Sequence, residues 1–158
     1  ILLAYFIKLK RKMNRQLNLI IIGDGPQNTI INKILKTEPN ISWVGSLTNE
    51  SEISPLMKEA NIVFNPGHSG LCINHSFCYG RPYVTLESGT HAPEINYVRN
   101  GFNGYILSGD DEHNINKILE ILTCDDMTIY ENAYSTGKML SIDNWCDQIV
   151  DALRLRKL

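Results

Sequence analysis

The chain has 158 residues, 43% apolar and 20% charged, with a formal net charge of −2. That length allows one domain with a core of its own, and the near-neutral balance argues against a nucleic-acid-binding surface. No apolar run approaches the roughly 20 residues of a membrane span, and ILLAYFI followed by KLKRK has the wrong charge order for a signal peptide.

Residues 1–13 place Leu2, Leu3, Phe6 and Leu9 on one side and Lys8, Lys10, Arg11 and Lys12 largely on the other, which is helical spacing. The basic run reads as a solvated helix face, with contact to anionic lipid as the alternative. LNLIII (17–22) is a continuous apolar run closed by GDGP, the pattern of a buried parallel strand and a tight turn. Helical spacing returns over 27–37, and ISWVG (41–45) is a short strand. Residues 52–60 form a helix, with Pro55 placed in its first turn. NIVFNP (61–66) is a strand, 69–79 a helix closed by Gly80, PYVTLE (82–87) a strand, PEINYVRN (93–100) a short helix and GYILS (104–108) the last strand. Helices over about 110–123, 127–139 and 142–156 follow, the first capped by Asp110 or Asp111.

Short apolar strands alternating with helices predict an α/β, Rossmann-like, doubly wound parallel sheet with a helical C-terminal tail. Such sheets bind ligands beyond the carboxyl ends of their strands. That selects the loops after residues 22, 45, 65, 87 and 107. The four cysteines form no C-x-x-C pair and read as reduced, in a cytosolic compartment. The chain lacks an initiator Met and begins in mid-pattern, so it is expected to be a fragment of something longer.

Two of these loops are rich in glycine. Gly23-Asp24-Gly25-Pro26 lets backbone approach a ligand, but Asn28 stands where a dinucleotide fingerprint needs glycine. In Asn65-Pro66-Gly67-His68-Ser69-Gly70, a strand runs into a helix, and the amides of Gly70, Leu71 and Cys72 are expected to be free. A helix start of that kind favours phosphate, although its dipole supplies only about 0.3–1 kcal/mol when exposed. The bland reading of both loops is a plain strand-to-helix turn. His68, His75 and His91 lie near strand ends at spacings that match no zinc signature, so no metal is expected. His75 alone is equally a hydrogen-bonded helix histidine. Glu94, after Pro93, either satisfies first-turn amides or stands at the mouth of the site beside His91. Arg81 reads as structural.

Taken together, LNLIIIGDGP, ISWVGSL, ANIVFNPGHSGLCINHSFCYGRPYVT and HAPEINYVRNGFNGYIL resemble, in order and spacing, the C-terminal half of group 1 (family 4) glycosyltransferases of the GT-B fold. The resemblance runs from about residue 2 to residue 123. It implies a metal-independent, retaining transferase that takes a nucleotide-diphospho-sugar as substrate and needs no cofactor. This domain would hold the donor, and a second Rossmann-like domain a saccharide or lipid-linked acceptor. By position, Gly67, His68, Ser69, Gly70 and Leu71 would form the diphosphate and sugar loop. Val44, Gly45 and Ser46 would lie against the base, with Gly23, Asp24 and Gly25 close by. His75 would meet the ribose, and His91 or Glu94 would share that task.

The resemblance also carries departures. The family's two glutamates, separated by seven residues, fall here on Gly67 and His75. A carboxylate accepts from both hydroxyls of a ribose diol, whereas a neutral imidazole offers one acceptor. His75 is therefore expected to make a single ribose bond or, protonated, to face the diphosphate. The family's basic pair, the domain's first strand (mid-sheet in a Rossmann order) and the acceptor domain would all lie upstream of Ile1. The 158 residues alone are expected to be a weak donor binder without catalysis, and no catalytic residue is assigned. A non-catalytic module of the same fold and a sugar-nucleotide epimerase are the competing readings. The expected location is the cytoplasm, extending to the inner face of the membrane, in polysaccharide synthesis.

Overall fold

The computed structural model describes residues 1–155. In chain order the elements are α1 (Leu2–Lys12), β1 (Leu19–Ile21), α2 (Asn28–Leu35), β2 (Ile41–Trp43), α3 (Glu50–Glu59), β3 (Val63–Asn65), α4 (Cys72–Cys78) and β4 (Tyr83–Leu86). A 3-10 turn (Pro93–Tyr97), β5 (Gly104–Leu107), α5 (Asp111–Thr123), α6 (Thr128–Met139) and α7 (Ile142–Leu155) complete them. Every strand pairing is parallel, and helices cover both faces, so the chain is an α/β Rossmann-like half. The strands fall into two pieces, β1-β2 and β3-β4-β5.

The core follows from this layering. On one face of the larger sheet, Tyr5 and Leu9 of α1 and Ile115, Ile118, Ile121 and Leu122 of α5 bury Val84 and Leu107. On the other face, Ile73 and Phe77 of α4 and Ala133 of α6 bury Tyr83 and Val98. Glycine permits the tightest approach: a Cβ on Gly104 would collide with the Tyr83 backbone of the adjoining strand.

Several boundaries differ from expectation for physical reasons. Asn49 accepts from Ser51 N and starts α3 two residues early, so Pro55 lies beyond its first turn. Lacking an N–H, Pro55 leaves the carbonyl four residues back without its helical donor. Residues 69–71 form a turn, and α4 begins only at Cys72. The 93–100 segment closes as a five-residue 3-10 turn. Asp110 is the cap of α5, accepting from His113 N at 2.8 Å. Residue 156, assigned to the last helix, lies outside the described residues. Three cations of the basic run of α1 meet carboxylates: Lys8 pairs with Asp111 at 2.9 Å, Lys10 with Glu38 at 2.7 Å, and Lys12 with Glu112. Lys8 lowers the pKa of Asp111, helped by the Tyr5 hydroxyl. Among the described residues no helix is long and apolar enough to cross a membrane.

Candidate functional site

Parallel pairing puts the carboxyl ends of the strands in each sheet on one edge, and the loops there are tied in pairs. In the smaller sheet, Gly23 N donates to Gly45 O at 2.7 Å, and Trp43 Nε1 donates to Gly23 O at 2.8 Å. Gly23 (φ 131°) and Gly45 (φ 74°) both hold backbone that side chains rarely adopt, and both face open space. Asp24 accepts from Asn28 and from Gly25 N, which lower its carboxyl pKa in that order. Val44 and Ser46 are exposed beside this pair.

In the larger sheet the loop after β3 is shaped from below by a chain of buried hydroxyls. Tyr83 Oη donates to Ser69 Oγ (3.0 Å), Ser69 Oγ to Thr85 Oγ1 (3.1 Å), and Thr85 Oγ1 to Asn65 O (2.7 Å). Cys72 Sγ lies 3.0 Å from the same Tyr83 oxygen. Burial, then the contact with Cys72, pushes the Tyr83 pKa far up, so the phenol stays protonated and donating. Asn65 folds the loop back on itself, accepting from Gly67 N and donating to His68 O.

The loops after β3 and β4 are joined through His91. Its Nε2 meets Leu86 O at 2.8 Å, and its Nδ1 accepts from Ser69 N at 3.2 Å. A carbonyl requires a donor, so the ring carries its proton on Nε2. Ala92 N donates to Ser69 O at 2.8 Å, and Ala92 Cβ sits where a Cβ on Gly70 would touch it. His68 Nδ1 meets Thr90 O.

The outcome for the proposed phosphate loop is mixed in an informative way. Ser69 is fully buried, with amide, carbonyl and hydroxyl all committed inside the protein. Among the described residues, no partner holds the amides of Gly70, Leu71 or Cys72, and Leu71 is 74% exposed. Ser69 is thus fully used within the protein, and the three donors that follow it are not. Two residues beyond Ala92, the Oε2 of Glu94 is buried and, among the described residues, has no partner. A buried acceptor in that state is uncommon enough to require a donor.

His75 shares no partner with His68 or His91. Its Nε2 lies 3.2 Å from Glu50 Oε1, and the Tyr79 hydroxyl donates to the same carboxylate. Tyr79 first, then His75, lower the Glu50 pKa. Glu50 belongs to the first turn of α3, after β2, so this contact brings loops of the two sheets together. Periodicity carries no signal for that pairing, because the partners are 25 residues apart. Only the rule that all these loops share one edge points to it. Among the described residues, no group of three or more His, Cys, Asp or Glu is arranged to hold a metal ion.

Residues 1–124 match the family model described as Glycosyl transferases group 1. No curated protein matches the chain. The pneumococcal O-GlcNAc transferase GtfA, solved with UDP and GlcNAc, superposes with a TM-score of 0.73 at 15% identity, over 96% of this chain and 32% of that one. TarM of S. aureus gives 0.76 at 16% identity over 95% and 31%. Anabaena HepE with UDP and glucose gives 0.68 at 21% over 96% and 44%. At these identities the likeness establishes the fold, and the chain spans less than half the length of each of these proteins.

Proposed function

The chain belongs to the group 1 glycosyl transferases, and from that premise we propose that it is the donor-binding half of an enzyme that moves a sugar from a nucleotide-diphospho-sugar to an acceptor. Transfer proceeds with retention and without a metal ion, and the acceptor, a saccharide or lipid-linked saccharide, is held by a second domain. The observation that carries this reading is the trio of amides at Gly70, Leu71 and Cys72, unpartnered among the described residues, in a loop braced by buried Ser69.

The chemistry follows from where charge develops. Breaking the bond between sugar and diphosphate leaves negative charge on the departing phosphate oxygen. Fixed amide donors need no reorganisation to stabilise it, and one such donor contributes roughly 3–4 kcal/mol in well-studied sites. Glu94, with an unmet acceptor, is suited to a hydroxyl of the sugar or ribose. Position 75 lacks the carboxylate that could grip a ribose diol. Glu50, ionised at neutral pH and hydrogen-bonded to His75, brings one to the same place from a different helix.

The test is a titration of the chain with UDP, GDP and ADP, read residue by residue by amide resonances. UDP is the first choice, given its presence in the GtfA and HepE complexes. The expected result is saturable movement of the Gly70, Leu71 and Cys72 amides with one nucleotide. Gly70→Val should weaken binding about tenfold, or 1.4 kcal/mol, and Glu50→Ala should weaken it for the ribose-bearing ligand but not for inorganic pyrophosphate. Amides at 70–72 that stay unmoved by all three nucleotides at millimolar concentration would remove the basis of the reading.

A further inference from the structure

The bridge from α4 to α3 rests on a single oxygen. The Tyr79 hydroxyl and His75 Nε2 both reach Oε1 of Glu50, and among the described residues Oε2 has no partner. His75 and Tyr79 are four residues apart, a spacing that puts side chains one above the other on a helix face, and their ring centroids lie 5.5 Å apart. An ionised carboxylate only accepts, so His75 carries a proton on Nε2. The same carboxylate is the chief cause that raises the Tyr79 pKa, which keeps the phenol a donor. Two donors occupy Oε1, and both lone pairs of Oε2 stay open.

Stability does not account for this arrangement. The side chains of Glu50 and His75 are 62% and 37% exposed, and exposed ion pairs add little to folding. Two donors on one oxygen instead fix the direction of the carboxylate and leave a charged acceptor free. Such an acceptor suits a ligand hydroxyl, because charge-assisted bonds are roughly twice as strong as neutral ones. Position says which hydroxyl. Glu50 opens α3, beyond β2 and the paired Gly23 and Gly45 turns, whereas His75 lies one helical turn on from Leu71. With a base over the first loop and a diphosphate on the amides of the second, the ribose is the part of a nucleotide that lies between.

We propose that Tyr79 and His75 are positioning residues that hold Oε1 of Glu50 and so leave Oε2 to the ribose hydroxyls, making the site select ribonucleotides over their deoxy forms. This rests on the donor-binding reading above. It moves ribose recognition to α3, and position 75 serves the carboxylate instead of the sugar. Exposure sets the size of the effect. Water reaches Oε2 when a hydroxyl is missing, so the preference is about tenfold, the low end for a hydrogen bond to a charged group. A buried acceptor left unpaired would discriminate far more strongly.

The test is a set of affinity ratios. Whichever of UDP, GDP and ADP moves the 70–72 amides is titrated beside its 2′-deoxy and 3′-deoxy forms, into the chain and its variants. In the parent, at least one deoxy form should bind about tenfold more weakly than the ribonucleotide. Glu50→Ala should bring that ratio to about one, since the acceptor is gone. Tyr79→Phe and His75→Ala each free the carboxylate to turn and should lower it to about three, whereas His75→Gln restores an N–H donor and should keep it near about ten. A merely structural tether would weaken all forms equally and leave the ratio where it was. Equal binding of the ribonucleotide and both deoxy forms by the parent would overturn the proposal while leaving the donor-binding reading in place. So would a ratio unchanged in either Tyr79→Phe or His75→Ala. If no nucleotide moves the amides, the two readings fall together.

Discussion

Gly137→Ala tests whether the α4–α6 crossing is as tight as the structure makes it. A Cβ at Gly137 would stand 2.5 Å from both the carbonyl carbon and the carbonyl oxygen of Phe77, and 2.8 Å from Cys78 N. Carbon contacts settle near 3.5–4.0 Å, so the helices must separate by about 1 Å, and the obstacle is backbone that no rotamer change relieves. Overpacking of this kind costs about 1–3 kcal/mol. Alanine in place of glycine within a helix returns about 0.8–1 kcal/mol. Because the obstacle is backbone, the upper part of that range, about 2–3 kcal/mol, applies, and the net expectation is destabilisation by about 1–2 kcal/mol, a fall in Tm of roughly 2–8 °C for a chain of this size. Urea unfolding followed by circular dichroism measures it, with an unchanged m-value confirming that the native state alone has been affected. A midpoint equal to or above that of the parent would show that helix propensity outweighs the clash and that α4 is not held against α6 at this point.

Thr85→Val is nearly isosteric, yet it removes the middle of the hydroxyl chain. The Ser69 hydroxyl loses its acceptor and Asn65 O loses its donor, so a loss of about 1–3 kcal/mol is expected in the same urea experiment. Asp111→Asn should show a pH signature. The folded pKa of Asp111 lies below its ordinary 3.8, chiefly through Lys8. Its contribution is therefore present above that value and lost as pH falls through the lower folded one. The Tm gap between parent and variant should be widest near neutral pH and begin to narrow below about pH 4. A gap that does not narrow at all as pH falls below about 4 would mean that the variant acts through packing instead of charge.

Much of this architecture could be read from local pattern. LNLIII, NIVFNP and PYVTLE are apolar runs too short for helices and bounded by Gly, Pro or Asn, and each contains a strand. Asp110 was one of two candidate caps, and the structure selects it. The errors lie where a local rule met a competing one. The glycine and proline before Leu71 stretch the loop, so α4 starts late. Asn49 captures Ser51 and pulls α3 past the point where Pro55 would be harmless. Strand order lies outside periodicity altogether, so the division into two pieces could not be read from the strand pattern. At the site, the glycine turns were visible as residue types. The use of Ser69 as an internal brace was not, because its partners Thr85 and His91 are 16 and 22 residues away. Glu50 stayed hidden for the same reason.

The hydroxyl chain beneath the loop after β3 separates shape from selectivity. Tyr83, Ser69, Thr85 and His91 set the backbone contour from the interior, His68 adds a contact to Thr90 O, and Leu71 is exposed. Outward positions can therefore vary while the scaffold that shapes the loop stays intact. A library randomised at Leu71 would explore ligand preference at little expense to folding, whereas one randomised at Ser69 would mostly sample broken frames.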